Sequence, residues 1–180
     1  MQVILNRNDL KVISVTSQYA IKNLQGRSVR LDILAVDQQN RVYNIEIQRN
    51  NKGAGVKRAR YNSSLIDANV TEPGDQYQEL NETYVIFITE NDVLGENLPI
   101  YHFDRIIRET GKMFNDESHI IYVNSSIQDE DTALGRLMHD LHCKNANDMY
   151  SEVLAKRVSE LKETETEESV SMCDALEKLI

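Results

Sequence analysis

The chain has little that would tie it to an oxidising compartment or to a bilayer. Only two of its 180 residues are cysteines, Cys143 and Cys173. They are too few and too far apart for a disulfide framework, and this usage suits a reducing cytoplasm. No run of eighteen apolar residues occurs, so no transmembrane helix is expected. The opening MQVILNRNDLKV lacks the charged-then-apolar layout of a secretory signal. No internal repeat is visible, and no stretch rich in Gly/Ser or Pro marks a linker. Positive charge is outnumbered, with 20 Lys and Arg against 29 Asp and Glu. The net charge of −9, taken as an average, argues against nucleic-acid binding, because phosphate neutralisation needs Lys and Arg. Averages conceal distribution, and distribution decides.

The length suits one compact domain with a sizeable core. We expect that domain over residues 1–145, with a C-terminal helical extension over 146–180. Residues 151–180 hold eight acids and four bases, a net of −4, so much of the negative charge lies in that extension. Between Arg49 and Ile66 the balance reverses. Arg49, Lys52, Lys57, Arg58 and Arg60 occur there with no acid among them.

Strand-like composition runs from Val12 to Tyr19. VRLDILAV, Val29 to Val36, is rich in branched apolar residues and predicts a strand buried on both faces. Asp37 to Asn40 is a turn signal. In Arg41 to Gln48, residues Tyr43, Ile45 and Ile47 share one face, and Val42, Asn44, Glu46 and Gln48 the other. Gly53 and Gly55 precede a predicted helix from about Val56 to Ala68, and Thr71 to Gly74 is a further turn signal. YVIFIT, Tyr84 to Thr89, is the clearest buried strand. A short strand over Tyr101–Phe103 is expected to run into a helical stretch ending near Glu109. HIIYV, His119 to Val123, is another strand. Helices are expected near Thr132–Cys143, with Asp131 a candidate cap, and near Ala146–Leu161. The polar run Glu163–Ser169 reads as frayed, and Val170–Ile180 as a last short helix. This order favours a mixed α/β sheet with helices on both faces.

The turn fixes a register. If the hairpin loop is the three residues Gln38 to Asn40, Asn40 takes the left-handed position that Asn tolerates. Asp37 then faces Arg41, Val36 faces Val42, and Asp32 lies opposite Glu46. Directly opposed side chains share a face, with Cβ atoms roughly 5 Å apart, and Gln48 projects from that same face. Two carboxylates this close repel unless a cation lies between them. A hard divalent ion such as Mg²⁺ suits carboxylate and carbonyl oxygens, and can activate water and stabilise a phosphodiester transition state. On the following helix Lys57, Arg60 and Tyr61 are spaced to share a side, with Arg58 less clearly on it. Acids for a metal beside bases for phosphates is what a nuclease requires.

LDILA, a short turn, YNIEIQ and then KRARYNSSLID resemble the PD-(D/E)xK nuclease superfamily. More closely, they resemble its bacterial branch of PD-(D/E)xK nuclease family transposases, or recombination-promoting nucleases. GDQYQEL followed by YVIFIT, and IIYVN, are similar to that branch as well. The likeness spans about Asp9 to Leu161. It implies a restriction-endonuclease-like core and a metal-dependent endonuclease acting on DNA. Asp32 and Glu46 would be metal ligands and Ile47 would offer its backbone carbonyl. Lys57, Arg58 and Tyr61 would assist from the helix, with Mg²⁺ or Mn²⁺ as cofactor. Gln48 stands where the superfamily usually has lysine, as it often does in this branch. Members usually carry a longer N-terminal helical segment, near whose end Met1 falls.

Other readings stand beside this one. Asp32 and Glu46 could pair with Arg30 or Arg41 on a solvated face. Gln48 could be a polar strand end, and the basic run a solvated helix face. The chain could also be an inactive relative serving as a binding or oligomerisation module. A homodimer is expected to involve the C-terminal helices, although no clean heptad is present. His139, His142 and Cys143 fall within about one helical turn. A zinc site takes four ligands and no partner pair is apparent, so a packing role is expected. The same holds for Met172 and Cys173.

Overall fold

A computed structural model describes residues 1–23, 26–71 and 73–164, with side chains in the last helix as far as Glu160. The fraying expected of Glu163–Ser169 beyond Thr164, the last helix expected over Val170–Ile180, and the packing expected of Met172 and Cys173 lie outside these residues, as does Glu72 of the predicted turn.

A short helix, α1 (Gln2–Leu5), leads into three consecutive strands, β1 (Val12–Ile21), β2 (Val29–Asp37) and β3 (Val42–Gln48). The main helix α2 (Val56–Val70) follows, then β4 (Thr83–Thr89), β5 (Ile100–Phe103), β6 (Ser118–Asn124), α3 (Ala133–His142) and α4 (Glu152–Thr164). The six strands form one sheet in the order β1-β2-β3-β4-β6-β5. The β1–β2, β2–β3 and β5–β6 pairs are antiparallel, whereas β3–β4 and β4–β6 are parallel. A parallel neighbour needs a crossover, and α2 supplies it between β3 and β4. This is the restriction-endonuclease-like α/β fold expected from the sequence.

The strands are covered on both faces. One face packs Ile33, Ala35, Tyr43, Ile45, Ile47, Ile86, Ile88, Ile121 and Val123 with Ile4, Leu10, Met138 and Leu141 from α1, α3 and the turn after α1. The other packs Leu31, Val42, Val85, Phe87 and Tyr122 against Ala59, Leu65 and Ile66 of α2. Nine strand side chains are buried on the first face and six on the second, which explains why the central strands read as nearly continuous apolar runs.

The hairpin register is the one the turn implies. Val36 pairs with Val42 and Ile33 with Ile45, and Asn40 has φ 61°. The Asp37 N–H donates to Arg41 O at 3.1 Å and the Asn40 N–H to Asp37 O at 3.0 Å. The Asp37 carboxylate, fully buried, accepts from the Arg41 guanidinium at 2.6 Å and from the Tyr43 hydroxyl at 2.8 Å.

Four local expectations are corrected. Residues 104–117 are no helix: Ile106 bridges Met113, and the chain reverses through Gly111 at φ 68°, a conformation that suits glycine. β2 is not buried throughout, since its alternate positions are only half-buried. The helix expected from Ala146 is a 3₁₀ turn (Ala146–Asp148), and α4 begins at Glu152. α3 is capped by the Thr132 hydroxyl, which accepts from the Gly135 N–H at 2.9 Å, rather than by Asp131.

Candidate active site

Hydrogen-bonded pairs in the β2–β3 hairpin fall on odd-numbered residues, as the Asp37–Arg41 pair shows. The next positions outward, Asp32 and Glu46, are therefore opposed at a non-hydrogen-bonded site, where side chains stand closest. The regular ladder stops just before them, at Ile33–Ile45. In its place the two side chains bond across the gap. The Asp32 N–H donates to Glu46 Oε1 at 3.4 Å and the Ile47 N–H to Asp32 Oδ2 at 3.0 Å.

β2 also changes face here. Leu31 packs on the α2 side, but Ile33 and Ala35 pack on the opposite side. A regular period of two would keep all three together, so the alternation slips at Asp32. The β1–β2 ladder skips the same place: Ser17 pairs with Ile33 and Tyr19 with Leu31, while Gln18 between them has φ 50°. This left-handed residue opposite Asp32 is the local distortion that accompanies the slip.

Glu46 is fully buried. Besides Asp32 N–H, its Oε1 accepts from Asn44 Nδ2 at 3.0 Å and Asn62 Nδ2 at 3.4 Å. Its Oε2 accepts from the Arg58 guanidinium at 2.5 Å. Burial pushes the Glu46 carboxyl above its ordinary pKa; the Asn44 hydrogen bond opposes this, the Asp32 charge adds to it, and Arg58 opposes it again. The net rise means that the one guanidinium does not fully compensate the buried charge. Close by, Oδ1 of buried Asn62 has no hydrogen-bond partner among the described residues.

The start of α2 closes the site. Asn50 accepts from the Lys52 N–H and begins a 3₁₀ turn (Asn51–Gly53), which Tyr122 ties to the sheet by donating to Ala54 O at 2.9 Å. Arg58 donates to Gly53 O at 2.8 Å and lies over the Phe87 ring, 5.7 Å from its centroid. Gln48 folds against the same turn: a Cβ at Gly53 would fall 1.9 Å from its Oε1. A side chain at position 53 would therefore have to displace the Gln48 amide.

The residues singled out by sequence fare differently. Asp32, Glu46 and Arg58 come together, and Ile47 and Gln48 border them. Helix spacing placed Lys57, Arg60 and Tyr61 on one side with Arg58 less clear, yet Arg58 is the cation that reaches the carboxylates. Lys57 and Arg60 are exposed. Tyr61 is drawn to the β1–β2 connection, where it donates to Arg27 O at 2.5 Å and accepts from Asn23 Nδ2 at 3.3 Å. Among the described residues Glu46 pairs with Arg58 rather than with Arg30 or Arg41, and Arg41 is committed to Asp37. Asn44, Asn62 and Gly53 were missed as site residues. For Asn44 the signal existed, because a polar residue on the Glu46 face of an otherwise buried strand needs a buried partner.

The donor set fits a hard divalent cation. Two carboxylates, the Ile47 carbonyl and the Gln48 amide offer only oxygen, the Glu46 charge is under-compensated, and Asn62 Oδ1 is an orphaned acceptor beside it.

Residues 2–137 match the family of PD-(D/E)XK nuclease family transposases. That is well over half of the chain, and the chain belongs to this family. No curated protein and no solved structure gives a significant match. No helix among the described residues is long and apolar enough to cross a membrane.

Proposed function

We propose that this nuclease-family chain hydrolyses DNA phosphodiester bonds endonucleolytically, with Mg²⁺ or Mn²⁺ held by Asp32 and Glu46. The observation that carries the reading is the convergence of these two carboxylates at the point where β2 slips and its ladders lapse. A bound divalent ion supplies Lewis acidity toward the phosphate and an activated water. The chain's own groups do the rest. Ile47 and Gln48 add neutral oxygen donors. Asn44 and Asn62 orient Glu46 by its Oε1. Arg58, anchored on Gly53 O, is placed to neutralise the scissile phosphate once Glu46 engages a metal. Lys57 contributes to phosphate binding from the exposed side of α2, and Tyr61 fixes α2 against the β1–β2 connection. We assign the nuclease domain to residues 1–145 and a helical extension, the expected dimer contact, to 146–180. A cytoplasmic location accords with the DNA substrate.

The purified protein is expected to nick or cut DNA with Mg²⁺ or Mn²⁺, and Asp32→Ala or Glu46→Ala to abolish this. Cleavage surviving both substitutions would refute the assignment. The Arg58–Glu46 ion pair favours an inactive module, because a guanidinium already occupies Glu46 Oε2. Calorimetry separates the two readings: an inactive module binds neither Mg²⁺ nor Mn²⁺.

A further inference from the structure

On the face of the sheet opposite α2, a second cluster of donors gathers at the end of α3. His139 and Cys143 are four residues apart and therefore share a helix face. The structure adds Asp140 to them and removes His142. His139 Nδ1 lies 3.4 Å from Asp140 Oδ1 and 3.5 Å from Cys143 Sγ, with His139 Nε2 3.9 Å from the same sulfur. One ligand atom from each residue falls within 4.8 Å of the others. His142 turns away to Ser125 Oγ at 2.9 Å. Ligands about 2.0–2.3 Å from a tetrahedral zinc ion stand roughly 3.3 Å apart for N and O and roughly 3.5 Å apart for N and S. The observed 3.4 Å and 3.5 Å are those separations.

We propose that His139 Nδ1, Asp140 Oδ1 and Cys143 Sγ form a metal site for a borderline-soft divalent cation such as Zn²⁺, which pins the end of α3 to the segment leading into α4. Three features support it. First, Asp140 is 2% exposed and held rigid, its two oxygens accepting from the Tyr150 and Ser151 N–H groups at 2.8 Å each. Backbone donors that fix a carboxylate in this way hold it oriented toward an ion. Second, the Asp148 carbonyl oxygen lies 3.7 Å from Sγ and offers a fourth ligand from the 3₁₀ turn. Third, the cluster sits in the last turn of α3, where the helix dipole favours a cation. The thiolate and imidazole set this site apart from the all-oxygen donors at Asp32 and Glu46, so it selects a softer metal.

The test uses the full chain carrying Cys173→Ser, which leaves Cys143 as its one thiol, and Asp32→Asn, which silences the carboxylate pair. Titration with Co²⁺ is expected to give one equivalent with a thiolate-to-cobalt charge-transfer band and intense tetrahedral visible bands. Zn²⁺ should displace it, and excess Mg²⁺ should not. Cys143→Ser should remove the charge-transfer band. His139→Ala should weaken Zn²⁺ binding by more than about 10- to 100-fold, the loss expected when only a group that orients a ligand is removed. Zn²⁺ should raise the Tm of the parent and leave that of Cys143→Ser unchanged. A folded parent without the charge-transfer band, or Zn²⁺ affinity indifferent to both substitutions, would overturn the proposal.

Discussion

Glu46 is a fully buried carboxylate whose charge is answered by a single guanidinium, itself about one-third exposed. Removing Arg58 leaves that charge uncompensated, which costs several kcal/mol for a buried pair and less when one partner is solvated. Arg58→Met is therefore expected to destabilise the metal-free protein by about 1–3 kcal/mol. The loss should shrink in Mg²⁺ or Mn²⁺, because the metal supplies the missing charge. Thermal unfolding in chelator and in metal checks this, and a metal-independent loss would contradict it. Asn62→Ala is expected to weaken metal binding about tenfold while the fold persists, as outer-shell partners of ligands do, and calorimetry reads this. Asp32, Glu46 and Gln48 were legible because turn chemistry and period-two alternation put them on one face. Asn62 was not, because a helical asparagine has no sequence mark that distinguishes a buried partner from a solvated one. Arg58 was ambiguous for a related reason: spacing relates helix residues to each other but says nothing about how the helix is rotated on the sheet.

At the scale of single elements, the hairpin and α3 make separate predictions. Burial alone would raise the Asp37 carboxyl. The Arg41 and Tyr43 hydrogen bonds and the Arg41 and Gln39 N–H groups outweigh it and hold the carboxyl below the ordinary range. A depressed folded-state pKa contributes stability above the unfolded value of about 3.9, and the contribution is lost as pH falls through the folded value. Asp37→Asn should thus cost about 3–5 kcal/mol at neutral pH, with the gap to the parent narrowing below about pH 4. Denaturant unfolding against pH checks the sign. In α3, a Cβ at Gly135 would fall 2.0 Å from the Asp129 carbonyl oxygen, backbone that cannot swing aside. Gly135→Ala should cost about 1–3 kcal/mol through overpacking, measurable in the same assay. Most elements could be read from the sequence: β4, β6 and α2 lie within a few residues of expectation because their patterns are long and unbroken. The reversal over residues 104–117 could not, since a short apolar–polar mixture there serves helix and hairpin equally, and the Ile106–Met113 bridge decides it. The slip at Asp32 was equally invisible, because it accompanies a left-handed Gln18 that no residue preference announces.

For the whole molecule, a net charge of −9 and a DNA substrate are compatible only if contact is confined to the one basic stretch. Arg49, Lys52, Lys57 and Arg60 are exposed along it. Neutralising about four phosphates gives log K against log salt a slope of about −3 to −4. A much steeper slope would mean that other surfaces bind, and a flat one that this stretch does not. A cation joining Asp32 to Glu46 is what the proposed chemistry requires first. Crystals soaked in Mn²⁺ test it directly by anomalous scattering. An anomalous peak bonded to both carboxylates, with Arg58 turned away from Glu46, is the expected result. Arg58 still bound to Glu46, with no peak between the acids, would contradict it.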